Sequence, residues 1–152
     1  MQFWGLSFSI GILAGIWTYA SATFGILTWP AFVGWAIFFF AGGNKAAIMK
    51  GLPPIISGVI AGYLCVLVFG AMAGSTLVLA ILVAIIAFIM TFMMNIPLFA
   101  LAPAAFASCA SFFGAGDPIK AVVPLVIGLL LGYVSVLLPA AFTSGTDKEK
   151  SA

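Results

Sequence analysis

Three long stretches of this chain, residues 1–44, 51–116 and 121–146, carry no charged side chain at all. Soluble domains draw about a quarter of their residues from Asp, Glu, Lys and Arg; here the share is 5%, against 65% hydrophobic residues. The solvent for such a chain is the lipid bilayer, and a run of about 20 apolar residues reads as a transmembrane helix. Turn signals divide the chain into six pieces of this kind: residues 3–20, 24–41, 51–73, 76–94, 96–114 and 118–140. The reading is an all-α integral membrane protein of about six transmembrane helices, with a polar tail, residues 143–152, left in solvent and without fixed structure.

The order of these pieces repeats. Pro30-Ala31 returns 73 residues later as Pro103-Ala104, Phe39-Phe40 as Phe112-Phe113, and Gly43-Asn44 as Gly116-Asp117. With an offset of 70, Lys50, Pro54, Gly58, Gly62-Tyr63 and Val66-Leu67 fall on Lys120, Pro124, Gly128, Gly132-Tyr133 and Val136-Leu137. Pro and Gly matched at fixed spacing do not follow from hydrophobic composition, so the pattern reads as a duplication. The expected units are residues 1–73 and 74–142, three helices each, followed by the tail 143–152. Three spans is an odd number, so the second copy is expected to enter the membrane inverted. A competing parse makes residues 30–41 and 103–114 re-entrant half-helices within a parallel repeat.

Charge sets the orientation. The basic residues are Lys45, Lys50, Lys120, Lys148 and Lys150, and the acidic ones Asp117, Asp147 and Glu149. Placing both termini in the cytoplasm keeps four lysines inside and leaves Asp117 and Lys120 outside, as the positive-inside rule favours. Residues 1–5 lack the basic region of a cleaved signal peptide, so the first apolar stretch is expected to be retained.

Several candidates for function stand out. Pro30 and Pro103 sit within the second and fifth apolar pieces, where a proline withholds the amide that the carbonyl four residues earlier would bond; discontinuous helices of this kind often border a pathway. The pairs Phe39-Phe40 and Phe112-Phe113 fall near opposite mouths, where rings can build apolar constrictions. Asn44, Asp117 and Asn95 mark turns that open onto the same ends. Gly58 with Gly62, Gly128 with Gly132, and Gly11 with Gly15 form small-residue faces suited to close helix packing, and the first two pairs are expected to bring the third and sixth helices across one another. Cys65 and Cys109 lie in apolar runs at non-equivalent repeat positions and read as packing residues rather than a disulfide.

The missing groups exclude as much. No ionisable residue lies in the middle of any span, which disfavours proton-coupled transport. No nucleophile–base set, phosphate loop or metal-ligand cluster is present, so neither an enzyme, a cofactor nor a metal is expected. The thin net charge of +2 leaves no footprint for nucleic acid.

Gly34-Trp35-Ala36 leading into Phe39-Phe40-Ala41-Gly42-Gly43, with Pro103 and the segment Phe106-Ala107-Ser108-Cys109-Ala110, resembles the YcdZ-like family of small bacterial inner-membrane proteins. The resemblance covers nearly the whole chain. It implies a cytoplasmic-membrane address in a bacterium and no catalytic residues, because that family is a domain of unknown function. The inverted repeat and uncharged spans instead lead to the expectation of a channel or facilitative transporter for a small neutral or weakly polar solute (urea, amide, alcohol or aldehyde), or else a membrane scaffold without a substrate. In either case the Gly faces point to a homo-oligomer.

The inverted arrangement is checked by single-cysteine labelling in a Cys65→Ser, Cys109→Ser background. Cysteines at positions 44 and 117 are expected to react with impermeant reagents from opposite sides of the membrane. Labelling of both from one side leaves the parallel, re-entrant parse standing.

Overall fold

The computed structural model describes residues 4–72 and 74–149, with side chains to Pro139. Six α-helices follow one another: α1 (Trp4–Thr23), α2 (Trp29–Phe40), α3 (Lys45–Ala71), α4 (Thr76–Phe92), α5 (Ala102–Ala115) and α6 (Pro118–Glu149), with two 3₁₀ turns, Met93–Asn95 and Pro97–Phe99, between α4 and α5. Four helical stretches are long and apolar enough to cross a membrane: Trp4–Thr23, Lys45–Ala71, Thr76–Asn95 and Pro118–Pro139. The expectation of six full-length spans is corrected at α2 and α5, which have 12 and 14 residues.

Proline explains their length. Pro30 and Pro103 stand in the first turn of α2 and α5 rather than inside them, where the missing amide costs nothing because first-turn amides have no helical acceptor. Both therefore start helices instead of interrupting them, and the residues ahead of each, 24–28 and 96–101, are not α-helical. The upstream end is closed at Gly25, whose φ of 66° turns α1 off while Ile26 N–H bonds back to Ser21 O at 2.9 Å, a Schellman stop. The helix-interior prolines are Pro53 and Pro54 in α3 and Pro124 and Pro139 in α6. Thr143 to Glu149 continues α6, which corrects the expectation of an unstructured tail there; residues 150–152 lie outside the described residues.

Packing is exchanged between the two halves. α2 lies along α6, with Ala31 at Gly128 and Phe38 at Gly132, while α5 lies along α3, with Ala105 at Gly58 and Phe112 at Gly62. A β-carbon added at Gly58 would collide with the Ala105 carbonyl oxygen, and one at Gly128 with that of Ala31, so only glycine lets these backbones meet. The expectation that the paired glycines of α3 and α6 face each other is corrected: each pair grips the short helix of the other half. The contact series Ala31–Gly128 and Phe38–Gly132 means that α2 and α6 run in the same direction. α2 and α3 form a hairpin across residues 41–44, with Ile37 packed at Gly51, so α3 and α6 are antiparallel. α1 runs against α6, since Gly5 packs at Pro139 and Ser9 bonds to Ser135. The core between α3 and α6 holds Ile55, Leu125 and Leu129, all fully buried, beside Phe38 and Phe112.

α1 and α4 are peripheral. Gly11 and Gly15 have open space where a β-carbon would stand, so their small-residue face is unused inside the chain. Of the residues of α4, Met90 is buried.

One polar contact pins α1 to α6. Pro139 has no amide to offer the carbonyl of Ser135, four residues earlier. That carbonyl instead accepts from the Ser9 hydroxyl at 2.9 Å, while the Ser135 hydroxyl donates to Gly132 O at 2.6 Å and accepts from Trp35 Nε1 at 3.3 Å. A hydrogen bond inside a membrane protein contributes about 0.6 kcal/mol on average and up to about 1.7. Ser9→Ala is therefore expected to lower the thermal midpoint in detergent by a few degrees, and Pro139→Ala, which restores an amide, to shrink that loss. Equal losses from Ser9→Ala with and without Pro139→Ala in a thermal-melt cycle would show that the hydroxyl does not serve the proline-freed carbonyl.

Candidate functional site

The two exchanged contacts end in similar aromatic clusters. On one side the ring of Phe38 covers Gly132, reaching to within 2.6 Å of a β-carbon position there, and meets Tyr133 edge-on with centroids 6.3 Å apart. On the other, Phe112 covers Gly62 at 2.6 Å and meets Tyr63 edge-on at 6.1 Å. Phe38 and Phe112 are 0% and 3% exposed. The rings are held because glycine leaves a flat surface on the long helix and the adjacent tyrosine supplies a wall one position on.

This arrangement relocates the aromatic candidates. Phe39 and Phe113 are exposed at 37% and 43%, and Phe40 at 64%; of the four rings singled out in the sequence, only Phe112 is interior. Matching Phe39 to Phe112 is thus out of register with the packing, which pairs Phe38 with Phe112. One residue turns a helix by about 100°, enough to move a ring from the interior to the surface. The signal for the correct partner was present in Gly62-Tyr63 and Gly132-Tyr133, whose flat-plus-wall surface calls for a ring from elsewhere.

The polar candidates act as caps. Asn44 Oδ1 accepts from Ala46 N–H at 2.9 Å at the start of α3, and Asp117 Oδ1 accepts from Ile119 and Lys120 N–H at 2.8 Å each at the start of α6. A carboxylate suits the positive end of a helix. Asn95 Nδ2 donates to Phe92 O at 2.8 Å and closes α4. Pro30 is buried against the α2–α6 contact and Pro103 is exposed. Cys65 and Cys109 are buried free thiols.

A second polar knot lies where α1 hands over to α2: Trp17 Nε1 donates to Thr28 O at 2.9 Å, and the hydroxyls of Ser21 and Thr28 are 2.7 Å apart. The positions 73 residues later hold Met90, Met94 and Leu101, and those 74 residues later, the offset of the packed pairs, hold Thr91, Asn95 and Ala102. Among the described residues every buried side-chain N and O atom has a hydrogen-bond partner.

Surface cavities form among the described residues. An apolar groove of about 810 Å³ lies between α1 and α6 beside Phe8, Ile12 and Leu138, and one of about 310 Å³ lies between α3 and Phe99. Two more, of about 250 and 280 Å³, each include a lysine, Lys120 and Lys50 respectively. Neither Phe38 nor Phe112 lines any of the four; the space between the two aromatic clusters is filled by side chains.

Comparison with known proteins agrees with this architecture in its membrane character. Residues 7–140 match the model of the protein family of unknown function DUF1097. The chain is 33% identical over 134 residues to the inner membrane protein YcdZ of Escherichia coli K12, covering 84% of this chain and 80% of that one. It is 29% identical over 133 residues to the protein of the same name from Salmonella typhimurium LT2, covering 84% and 81%. No solved structure matches. With almost the whole apolar region inside the family match and a relative aligned over most of both lengths, this helical membrane protein belongs to the DUF1097 family, together with the YcdZ proteins.

Proposed function

We propose that this chain is a non-enzymatic facilitator in the bacterial inner membrane, passing a small neutral or weakly polar solute between two inverted three-helix halves. The inner-membrane YcdZ relatives support the address. The observation that carries the mechanism is the reciprocal clasp: Phe38 on Gly132 and Phe112 on Gly62, each ring on a helix of one half and each glycine on a helix of the other. Sliding apart at one clasp while the other stays shut would open each end in turn, the mode in which paired repeats commonly work. With Ile55, Leu125 and Leu129 filling the space between, the conformation described here is the closed one. Uncharged spans suit a neutral solute, because no ionisable group offers a moving ion a partner.

The antiparallel course of α3 and α6 supports the inverted repeat, since it sets Lys45 and Lys50 at one end and Asp117 and Lys120 at the other. The contact of Gly5 with Pro139 supports termini on one side, which the lysine distribution assigns to the cytoplasm. A second reading, an assembly subunit without a transported substrate, is favoured by the open Gly11 and Gly15 face on α1, the kind of surface along which a helix of a second copy can approach closely.

Proteoliposome flux separates the two. Urea, acetamide, short alcohols and aldehydes are expected to equilibrate faster than in empty liposomes, and Phe38→Ala or Phe112→Ala to raise the flux of the larger members several-fold, while the exposed Phe39→Ala and Phe40→Ala change little. Loss of a buried ring costs about 3 to 5 kcal/mol, so Phe38→Leu and Phe112→Leu provide milder versions. A wild-type protein no faster than empty liposomes for the whole panel supports the assembly role.

A further inference from the structure

Two of the cavities lie at opposite ends of the antiparallel α3 and α6, and each contains a single charged residue. One is bounded by Phe40 and Ala41 at the end of α2, Lys50 on α3, and Pro97, Ala100 and Leu101 ahead of α5. The other is bounded by Gly25, Ile26 and Leu27 ahead of α2, and by Lys120, Val123 and Pro124 on α6. Lys50 and Lys120 are 70 residues apart, each four positions before a fully buried proline, Pro54 or Pro124. Of only five lysines in the chain, two occupy these matching places.

No carboxylate lines either cavity. The nearest in sequence to Lys120 is Asp117, whose Oδ1 is engaged by the amides of Ile119 and Lys120 at the start of α6. The position matching it before Lys50 is the neutral Asn44. Lys50 and Lys120 are exposed residues at these cavities, and the other lining groups are apolar side chains and non-helical backbone with no opposite charge among them. Three ammonium donors on a flexible stem suit an oxyanion, and a charge-assisted hydrogen bond is about twice as strong as a neutral one. The walls, Ile26, Leu27 and Val123 in one cavity and Phe40, Pro97 and Leu101 in the other, suit a hydrocarbon chain attached to that anion.

We infer that Lys50 and Lys120 are matching seats, one at each end of the protein, for a singly charged oxyanion that carries an apolar chain. A free short-chain carboxylate and the phosphate of an anionic phospholipid share this chemistry. The inference concerns binding alone and stands independently of transport.

The test uses the whole protein in phosphatidylcholine nanodiscs, with propionate followed by saturation-transfer NMR and retained phosphatidylglycerol followed by native mass spectrometry after doping that lipid into the discs. A free-carboxylate seat is expected to give propionate saturation that falls by about half in Lys50→Gln or Lys120→Gln and disappears in the double variant. Propionamide, equal in shape and uncharged, is expected to give none. A lipid seat gives instead retained phosphatidylglycerol that is lost in the double Gln variant, with little response to propionate. Lys50→Arg with Lys120→Arg keeps the charge and is expected to keep whichever ligand binds. The inference is overturned if wild type responds to neither probe, if propionamide saturates as strongly as propionate, or if the double Gln variant, folded by circular dichroism and gel filtration, binds as wild type does.

Discussion

Backbone touching backbone is the contact on which the rest of this protein depends. At Gly58 against Ala105, and at Gly128 against Ala31, a long helix from one half lies directly on a short helix from the other. In hydrocarbon there is no hydrophobic drive to bring helices together, and association comes from dispersion contacts and polar pairing. Close approach therefore matters more than apolar area. Once these two contacts are made, Phe38 and Phe112 land on Gly132 and Gly62, Ile55 and Leu125 are enclosed, and the direction of each helix is determined. The side chains of α1 and α4 add little to this centre; they wrap it.

Polar side chains appear where the helical backbone is incomplete. The Ser135 carbonyl, deprived of a partner by Pro139, takes one from Ser9, and the irregular passage after α1 is tied to Trp17 and Ser21 through Thr28. An unmet backbone group in lipid costs several kcal/mol, so these hydroxyls and indoles are part of the architecture rather than a reactive site. That accounts for the buried Ser9 and Ser21, whereas Ser108 and Ser111 satisfy themselves within α5 by bonding back to Ala104 O and Ala107 O.

The class of the molecule was legible in its charge-free runs, and so were the turns at Asn44, Gly116 and Asp117, which do what such residues do locally; Gly25, which ends α1, was hidden inside the second apolar piece. The lengths of α2 and α5 were harder to read. Hydropathy treats residues 24–41 as one continuous stretch, and only the geometry shows that Pro30 opens the helix instead of bending it. The partner of each glycine face was also hidden: a Gly-x-x-x-Gly spacing announces that something approaches closely and does not say what. The mismatch between Phe39 and Phe38 has the same origin, since alignment by residue identity matches letters while packing matches angles around a helix axis.

The exchanged packing has a consequence for how such a chain is made. α2 emerges early from the ribosome, and its 12 residues reach about 18 Å, well short of the roughly 30 Å hydrocarbon layer. The helix that covers it, α6, is the last to be synthesised. Until then Gly25 to Thr28 has neither a helix of its own nor the neighbour that closes over it, and α3, though long enough to span, lacks its covering helix until α5 arrives. The contacts that cover α2 and α3 thus need the second half of the chain, so the first half has no complete packing of its own.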